Sequence, residues 1–408
     1  MSESEALTGG TQTPPQEYSG HAASTLDPTA PAVLSVRNLR QYFPVKSAGL
    51  VHRKIGDVQA VDGVSFEVAE GSSLGLVGES GCGKSTTGRA ITRLYKPTSG
   101  EVLFKGKDLA VLSKRELKPV RKEVQMIFQD PYSSLNPRHT VGSIIAAPLR
   151  IHDMVPKDQT LKRVQELLEV VGLNPEHYNR YPNEFSGGQR QRIGIARALA
   201  LQPKVIIADE PVSALDVSIQ AQVVNLLQDI QREFNVAFLF IAHDLAVVRH
   251  FCPEIAVMYL GKIVEIGDRD SIYQRSHHPY TQALLSAVPD VKQASIGGRR
   301  ERIRLEGDVP SPINPPSGCR FRTRCPIAQE ICARVEPPLL QIGARHKVAC
   351  HFPGRLGNAP SEPVTSRLLG VDALGQPDPG VASGELPEDQ PGYADTWIDL
   401  ESKTMGRA

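Results

Sequence analysis

Gly78-Glu79-Ser80-Gly81-Cys82-Gly83-Lys84-Ser85 is the segment that most narrows what this chain can be. It follows the pattern G-x-x-x-x-G-K-S, directly after the apolar run Leu74-Gly75-Leu76-Val77 and before a stretch able to form a helix. Glycines let the backbone curl until several N–H groups face one anion, and a helix starting there adds the positive end of its dipole. Such a loop predicts nucleotide contacts from Gly78, Ser80, Gly81, Cys82, Gly83, Lys84, Ser85 and Thr86. Lys84 reaches the β- and γ-phosphates, and the Ser85 hydroxyl holds Mg²⁺. The competing reading is a glycine-rich turn between strand and helix that binds nothing. Cys82 adds a second question. A thiol at a helix start is a candidate for a lowered pKa, and the plainer alternative is a tolerated small residue.

A second apolar run, Val205-Ile206-Ile207-Ala208, ends in Asp209-Glu210. Parallel sheets present ligand-binding groups at the carboxyl ends of buried strands, so these acids belong beside the phosphate loop. Asp209 suits Mg²⁺, directly or indirectly, because that ion takes hard oxygen donors. Glu210 is placed to polarise an attacking water or to accept its proton. Alone, an Asp-Glu pair reads as a solvated strand end; a phosphate loop in the same chain reverses that preference. Upstream, Ser186-Gly187-Gly188-Gln189 precedes the helical run Gln191–Leu199, and a serine-led helix start is another anion site. With one phosphate loop per chain, a second grip makes sense if it closes over nucleotide held by another subunit.

The rest of the pattern is α/β. Val33–Arg37 and Val64–Val68 alternate as strands, while Leu74–Val77, Val205–Ala208 and Ala237–Ala242 read as buried parallel strands. Leu161–Val171 and Ile219–Phe234 carry helical periodicity, the first with Leu161, Val164, Leu167, Leu168 and Val171 on one face. In 408 residues, 46 Lys and Arg stand against 45 Asp and Glu, which leaves no basic field for nucleic acid. No Lys or Arg precedes Arg37, and the longest apolar run, Val236–Ala242, is far short of a membrane span. A cytoplasmic protein is therefore expected. Residues 1–31, rich in Ser, Thr, Pro and Gly, and the acidic segment 356–408 are expected to be disordered.

Taken in order, Gln129 (in Ile127-Phe128-Gln129-Asp130), Phe185-Ser186-Gly187-Gly188-Gln189, Asp209-Glu210, Ser213-Ala214-Leu215-Asp216 and His243 closely resemble the ATP-binding subunit of an ABC transporter. The resemblance covers about 33 to 290. It implies a RecA-like P-loop NTPase core with an antiparallel β subdomain, spanning 32–290, and an inserted helical subdomain over roughly 132–190. It also implies two such subunits enclosing two ATP molecules. Gln129 would touch Mg²⁺ or the attacking water, His243 the γ-phosphate, and Asp216 would help join the two sites. Phe43, with Tyr42 as the alternate, would stack on adenine. One departure is Phe185 where the signature usually has Leu, which implies altered packing rather than altered chemistry.

Three further segments narrow the resemblance. They are Pro131-Tyr132-Ser133-Ser134-Leu135-Asn136-Pro137-Arg138, His277-His278-Pro279-Tyr280-Thr281-Gln282-Ala283-Leu284-Leu285, and Pro310-Ser311-Pro312-Ile313-Asn314-Pro315-Pro316. They resemble the dipeptide/oligopeptide (and nickel) importer ATPases, more nearly the second of their two. That family implies a homologous ATPase partner in a heterodimer, two permeases, an extracellular substrate-binding protein, and a place on the cytoplasmic face of the membrane. Within the extension 291–355, Cys319, Cys325, Cys332 and Cys350 are spaced C-x5-C-x6-C-x17-C, without the tight pairs of a structural zinc site. The resemblance favours a [4Fe–4S] cluster on these cysteines, with zinc and free thiols as alternatives. Arg320, Arg322 and Arg324 would soften the charge of such a cluster or be solvated. Two other functional classes stay in view: a soluble ABC-type ATPase outside transport, and a regulatory subunit that binds ATP without hydrolysing it.

Overall fold

The computed structural model describes residues 31–47, 53–288 and 302–354, with 356, 360, 363–365 and 375–376. The disorder expected of 1–31 and 356–408 concerns residues that, apart from Pro31 and those few positions, lie outside the described ones.

Strands β1 (Ala32–Lys46) and β2 (Lys54–Ala69) pair antiparallel and extend well beyond the short segments the alternation marks. Val64, Phe66 and Val68 point inward while Gly63, Ser65 and Glu67 face solvent, the period-two pattern of a half-buried sheet. Strand β3 (Ser73–Val77) is buried throughout and feeds α1 (Lys84–Ile91). Strands β4 (Ser99–Phe104) and β5 (Lys107–Asp108) complete a four-stranded sheet in the order β2-β1-β4-β5. Helix α2 (Lys114–Glu123) begins with a reciprocal Ser113–Glu116 capping box and leads into β6 (Val124–Ile127).

From Pro131 to Glu184 the chain is helical or irregular, with α3 (Pro131–Ser134), α4 (Val141–Ile151), α5 (Thr160–Val170) and three single 3-10 turns. Val164, Leu167, Leu168 and Val171 are buried as the periodicity of α5 requires, whereas Leu161 in its first turn stays 49% exposed. The chain then alternates α6 (Gly187–Leu199), β7 (Val205–Asp209), α7 (Val217–Phe234), β8 (Ala237–Ala242), α8 (Leu245–Phe251) and β9 (Glu254–Tyr259). Strand β10 (Lys262–Asp268), α9 (Arg269–Arg275) and α10 (Pro279–Ser286) follow. The C-terminal segment contributes α11 (Glu330–Arg334), β11 (Leu340–Gly343) and β12 (His346–Val348).

The large sheet runs β11-β12-β10-β9-β3-β8-β7-β6. From β9 to β6 it is parallel; β10, β12 and β11 extend it antiparallel, so the extension is continuous with the core sheet. Alternate residues of one strand fall in different cores. Phe238, Phe240 and Ala242 of β8 join the helical side, and Ala237, Leu239 and Ile241 join the side that holds the four-stranded sheet. A strand covered on both faces must be apolar throughout, which is why these runs show no alternation. This is the expected α/β architecture, a RecA-like core with an antiparallel sheet and a helical insertion. No helix among the described residues is long and apolar enough to cross a membrane.

The His-His-Pro-Tyr segment is fixed by a buried acid. Glu265 of β10 accepts the N–H groups of His277 (2.7 Å) and His278 (3.2 Å) and lies 2.8 Å from His346 Nε2 of β12. His278, 1% exposed, caps α10 by accepting the Tyr280 N–H on Nδ1 at 3.1 Å. Burial depresses the imidazole to about 4, with Glu265 opposing the shift. The unfolded chain takes up this proton near the usual value of about 6.5, so stability falls as pH drops from there to about 4, by up to ~3 kcal/mol. Denaturant unfolding between pH 7 and 4.5 should show this slope, and His278→Asn, which keeps a capping acceptor, should flatten it. An unchanged slope in the variant would rule the assignment out.

Candidate active site

Between β3 and α1 the chain turns through Gly78, Gly81 and Gly83, with φ of +156°, +81° and +109°. A Cβ at Gly78 would stand 2.1 Å from the Met258 carbonyl oxygen of β9, and one at Gly83 would stand 2.0 Å from that of Ala60 in β2. Both strands press on the loop, and only glycine fits. Ser80 and Gly81 are exposed at its tip, while Thr86 is half-buried in α1. Lys84 is 4% exposed, and its Nζ donates to the carbonyls of Gly78 (2.8 Å) and Glu79 (2.9 Å). The Cys82 thiol is buried 3.8 Å from that ammonium, and burial pushes it up rather than down. The plainer reading of Cys82 therefore stands, because desolvation outweighs the helix start and Lys84 together.

Ser85 Oγ donates to Asp209 Oδ1 at 2.6 Å. Asp209 is fully buried at the end of β7; its Oδ2 has no hydrogen-bond partner among the described residues and lies 3.9 Å from Arg89 Nη2. Burial raises this carboxyl, opposed by Ser85 and Arg89. A hydroxyl and a carboxylate with one free oxygen form a hard donor set that fits Mg²⁺.

Glu210 leaves β7 at φ +45°, left-handed for a residue with a side chain, a conformation that costs roughly 1–3 kcal/mol. Its N–H is held by the Ile241 carbonyl of β8 at 2.9 Å. The turn directs Oε2 to accept Gln129 Nε2 at 2.9 Å, with His243 Nδ1 at 3.3 Å. Gln129 follows β6, Glu210 follows β7, His243 follows β8, and the loop follows β3. Four neighbouring parallel strands thus deliver their chemistry at one edge, where open α/β sheets bind ligands.

Ser186 caps α6 in a capping box with Gln189, accepting its N–H at 3.3 Å while Gln189 Oε1 accepts the Ser186 N–H at 3.0 Å. A Cβ at Gly188 would meet Ile219 at 2.5 Å, so α6 sits directly on α7. A Cβ at Gly187 would touch Leu215 at 3.5 Å. Asp216 is exposed at the start of α7 and makes no side-chain cap. Phe185 is buried with its ring edge against His177 at 5.1 Å. Phe43 packs edge-to-face on Tyr95 at 5.3 Å, whereas the Tyr42 hydroxyl is tied to Asp62 at 2.6 Å. The phosphate loop, Asp209, Glu210, Gln129 and His243 form one group, and the Ser186 and Asp216 turns form a second around α6 and α7.

The cysteine expectation is corrected. Among the described residues no group of His, Cys, Asp or Glu is arranged to hold a metal ion, so an iron–sulfur cluster is not supported. All six cysteines are free. Burial pushes the thiols of Cys319 and Cys325 up to about 12 and about 11 and raises Cys332 and Cys350. Cys332 and Cys350 pack with Ile331, Val348 and Phe352, where neutral thiols act as small apolar side chains. The nearby arginines have other work. Arg320 pairs with Asp62, and Arg324 donates both Nη groups to Glu79, at 2.7 and 3.1 Å; only Arg322 turns back on its own segment, to Ser317. The Tyr280 hydroxyl accepts the Glu79 N–H at 2.8 Å. The sequence reading missed Arg89 and named Tyr280 and Arg324 only in other roles, because nothing local pairs them with residues so far along the chain.

A glycine-lysine cradle, a buried Ser–Asp pair and a strained glutamate at the carboxyl edge of one parallel sheet define a P-loop ATPase. The family model for the ABC transporter matches residues 61–213, and that for the oligopeptide/dipeptide transporter C-terminal region matches 264–332. The chain is 57% identical over 322 residues to the oligopeptide transport ATP-binding protein AppF of Bacillus subtilis, covering 78% of this chain and 97% of that protein. It is 50% identical over 348 residues to the probable peptide ABC transporter ATP-binding protein y4tS of Sinorhizobium fredii, covering 85% and 97%. Among solved structures, the dimeric ATP-binding cassette MJ0796 bound to ADP and Pi superposes with a TM-score of 0.51 at 29% identity, over 58% of this chain and 98% of that one. CbiO1 from Clostridium perfringens gives 0.51 at 27%, over 60% and 91%. The chain belongs to the ABC transporter ATP-binding family. It is an ATPase, and ATP with Mg²⁺ is what the family binds.

Proposed function

We propose that this chain is the ATP-hydrolysing subunit of a peptide importer, working on the cytoplasmic face of the membrane with two permeases and a homologous ATPase. An extracellular binding protein would act through the permeases. The observation that carries the reading is the Glu210 carboxylate, turned out of β7 and bonded by Gln129 and near His243 beside the phosphate loop. The printed descriptions of AppF and y4tS supply the cargo class. We divide the chain into the ATPase domain 32–290, with its helical insertion at about 132–190, and the extension 291–355.

In this reading Lys84 exchanges the Gly78 and Glu79 carbonyls for phosphate oxygens, and the loop N–H groups from Ser80 to Thr86 surround the triphosphate. Ser85 and Asp209 would hold Mg²⁺, which supplies charge neutralisation between the phosphates. Glu210 orients and polarises the attacking water, Gln129 keeps the carboxylate aimed, and His243 meets the γ-phosphate. Phe43 takes adenine, since Tyr42 is committed to Asp62. Ser186, Gly187, Gly188 and Gln189, with Asp216, close over nucleotide held by the companion ATPase. An ATP-binding subunit without hydrolysis would have no use for the strained Glu210 and its two partners. Affinity purification of the chain from membranes tests the assignment. Recovery of two permeases and ATP-dependent uptake of labelled peptide are expected; ribosomes or DNA as the companions would overturn it.

A further inference from the structure

Glu79, inside the phosphate loop, is held at every polar group it has. Its N–H donates to the Tyr280 hydroxyl (2.8 Å), its carbonyl accepts Lys84 Nζ (2.9 Å), and its carboxylate takes both Nη groups of Arg324 (2.7 and 3.1 Å). Arg324 lies 245 residues further on, in the extension, and its side chain is only 9% exposed. A bidentate guanidinium–carboxylate pair fixes orientation as well as charge, and it is strongest where water is thin. The segment that carries Arg324 is itself a tight turn, with the N–H groups of Arg322 and Arg324 on the carbonyls of Cys319 and Phe321. Phe321, 1% exposed, anchors it between Tyr259 (5.2 Å) and Tyr280 (5.4 Å). At the other end of the turn Arg320 donates to the Leu260 carbonyl (2.6 Å) and to Gln59 Oε1 (2.6 Å). The next residue, Gly261, gives its N–H to the Cys82 carbonyl at 2.8 Å. The turn therefore reaches the loop at Glu79 directly and at Cys82 through Gly261.

We propose that Arg324 is a positioning residue for ATP binding: the turn from Cys319 to Cys325 clamps the phosphate loop through Glu79 and neutralises the carboxylate beside the triphosphate. The inference rests on reading Gly78–Thr86 as the nucleotide cradle. Two physical effects act in the same direction. Fixing Glu79 lowers the ordering that binding requires, because the loop is held before the ligand arrives. Pairing its carboxylate removes a negative charge that would repel the phosphates, and repulsion weighs more on ATP than on ADP.

The test is a double-mutant cycle on the full chain, with Kd for Mg-ATP and Mg-ADP measured by titration calorimetry. Arg324→Ala should weaken ATP by about tenfold, or ~1.4 kcal/mol, and ADP by clearly less. Arg324→Lys should recover part of the loss. In the Glu79→Gln background, Arg324→Ala should cost less than threefold and the ATP-over-ADP difference should vanish. Arg322→Ala, which removes two side-chain bonds to Ser317, should bind as wild type. Arg324→Gln serves if the alanine variant does not fold, and thermal unfolding of each variant separates lost affinity from lost fold. ATP affinity within twofold of wild type in a folded Arg324→Ala or Arg324→Gln variant, or an additive cycle, overturns the proposal. No saturable binding by the wild type would instead overturn the nucleotide reading beneath it.

Discussion

Glu210→Gln should cut steady-state ATP hydrolysis by two to three orders of magnitude and leave ATP binding intact. The amide has nearly the shape of the carboxylate but no charge, and only one of its two terminal atoms accepts hydrogen bonds. At this position Oε2 serves Gln129 at 2.9 Å and His243 at 3.3 Å together. With its amide oxygen at that position the variant keeps both contacts and loses the charge that would polarise the attacking water. Removing one preorganised group of this kind from an active site costs roughly 3–4 kcal/mol, which sets the expected range. The backbone bond from Glu210 N–H to Ile241 does not involve the side chain, so the left-handed turn should persist. With hydrolysis blocked, ATP should accumulate in a closed pairing with the companion ATPase. Phosphate release and light scattering of the assembled complex measure both effects. Turnover near that of the wild type would remove Glu210 from the chemistry.

The second large effect should come from Lys84→Met, which ought to weaken ATP binding at least a hundredfold. The ammonium is 4% exposed and donates to two loop carbonyls. Met fills similar volume but leaves those carbonyls without a donor, and a buried acceptor left unpaired costs about 1–3 kcal/mol. The positive charge that would face the β- and γ-phosphates is lost as well. The first loss falls on the empty loop, because Lys84 leaves those carbonyls when nucleotide enters; the second falls on nucleotide uptake. Titration with Mg-ATP reports it, and an unchanged dissociation constant in a folded variant would refute the role given to Lys84.

The site was partly written in short stretches of sequence. The glycines of the phosphate loop appear as such because a backbone at positive φ between two strands admits little else. The Ser186–Gln189 box is legible because a cap spans three residues, and the buried strands because a strand covered on both faces has no polar side. The Cys319–Cys350 set misled because spacing says nothing about burial. Packed thiols with raised pKa values act as core residues, whatever their interval. The neighbouring arginines misled for a related reason: Arg320, Arg322 and Arg324 look alike in sequence, yet two are buried against acids and one faces its own loop.

Local pattern alone therefore determined that this chain builds a phosphate-gripping loop, acidic strand ends and a serine-capped helix, since each is set by residues within a few positions of one another. Tertiary structure alone decided the pairings that make them a site: Ser85 with Asp209, Gln129 with Glu210, and Glu79 with Arg324, across 124, 81 and 245 residues. Those contacts exist because parallel strands bring their carboxyl ends to one edge and the extension docks against that same sheet, and neither arrangement has a signature in any short stretch of the chain.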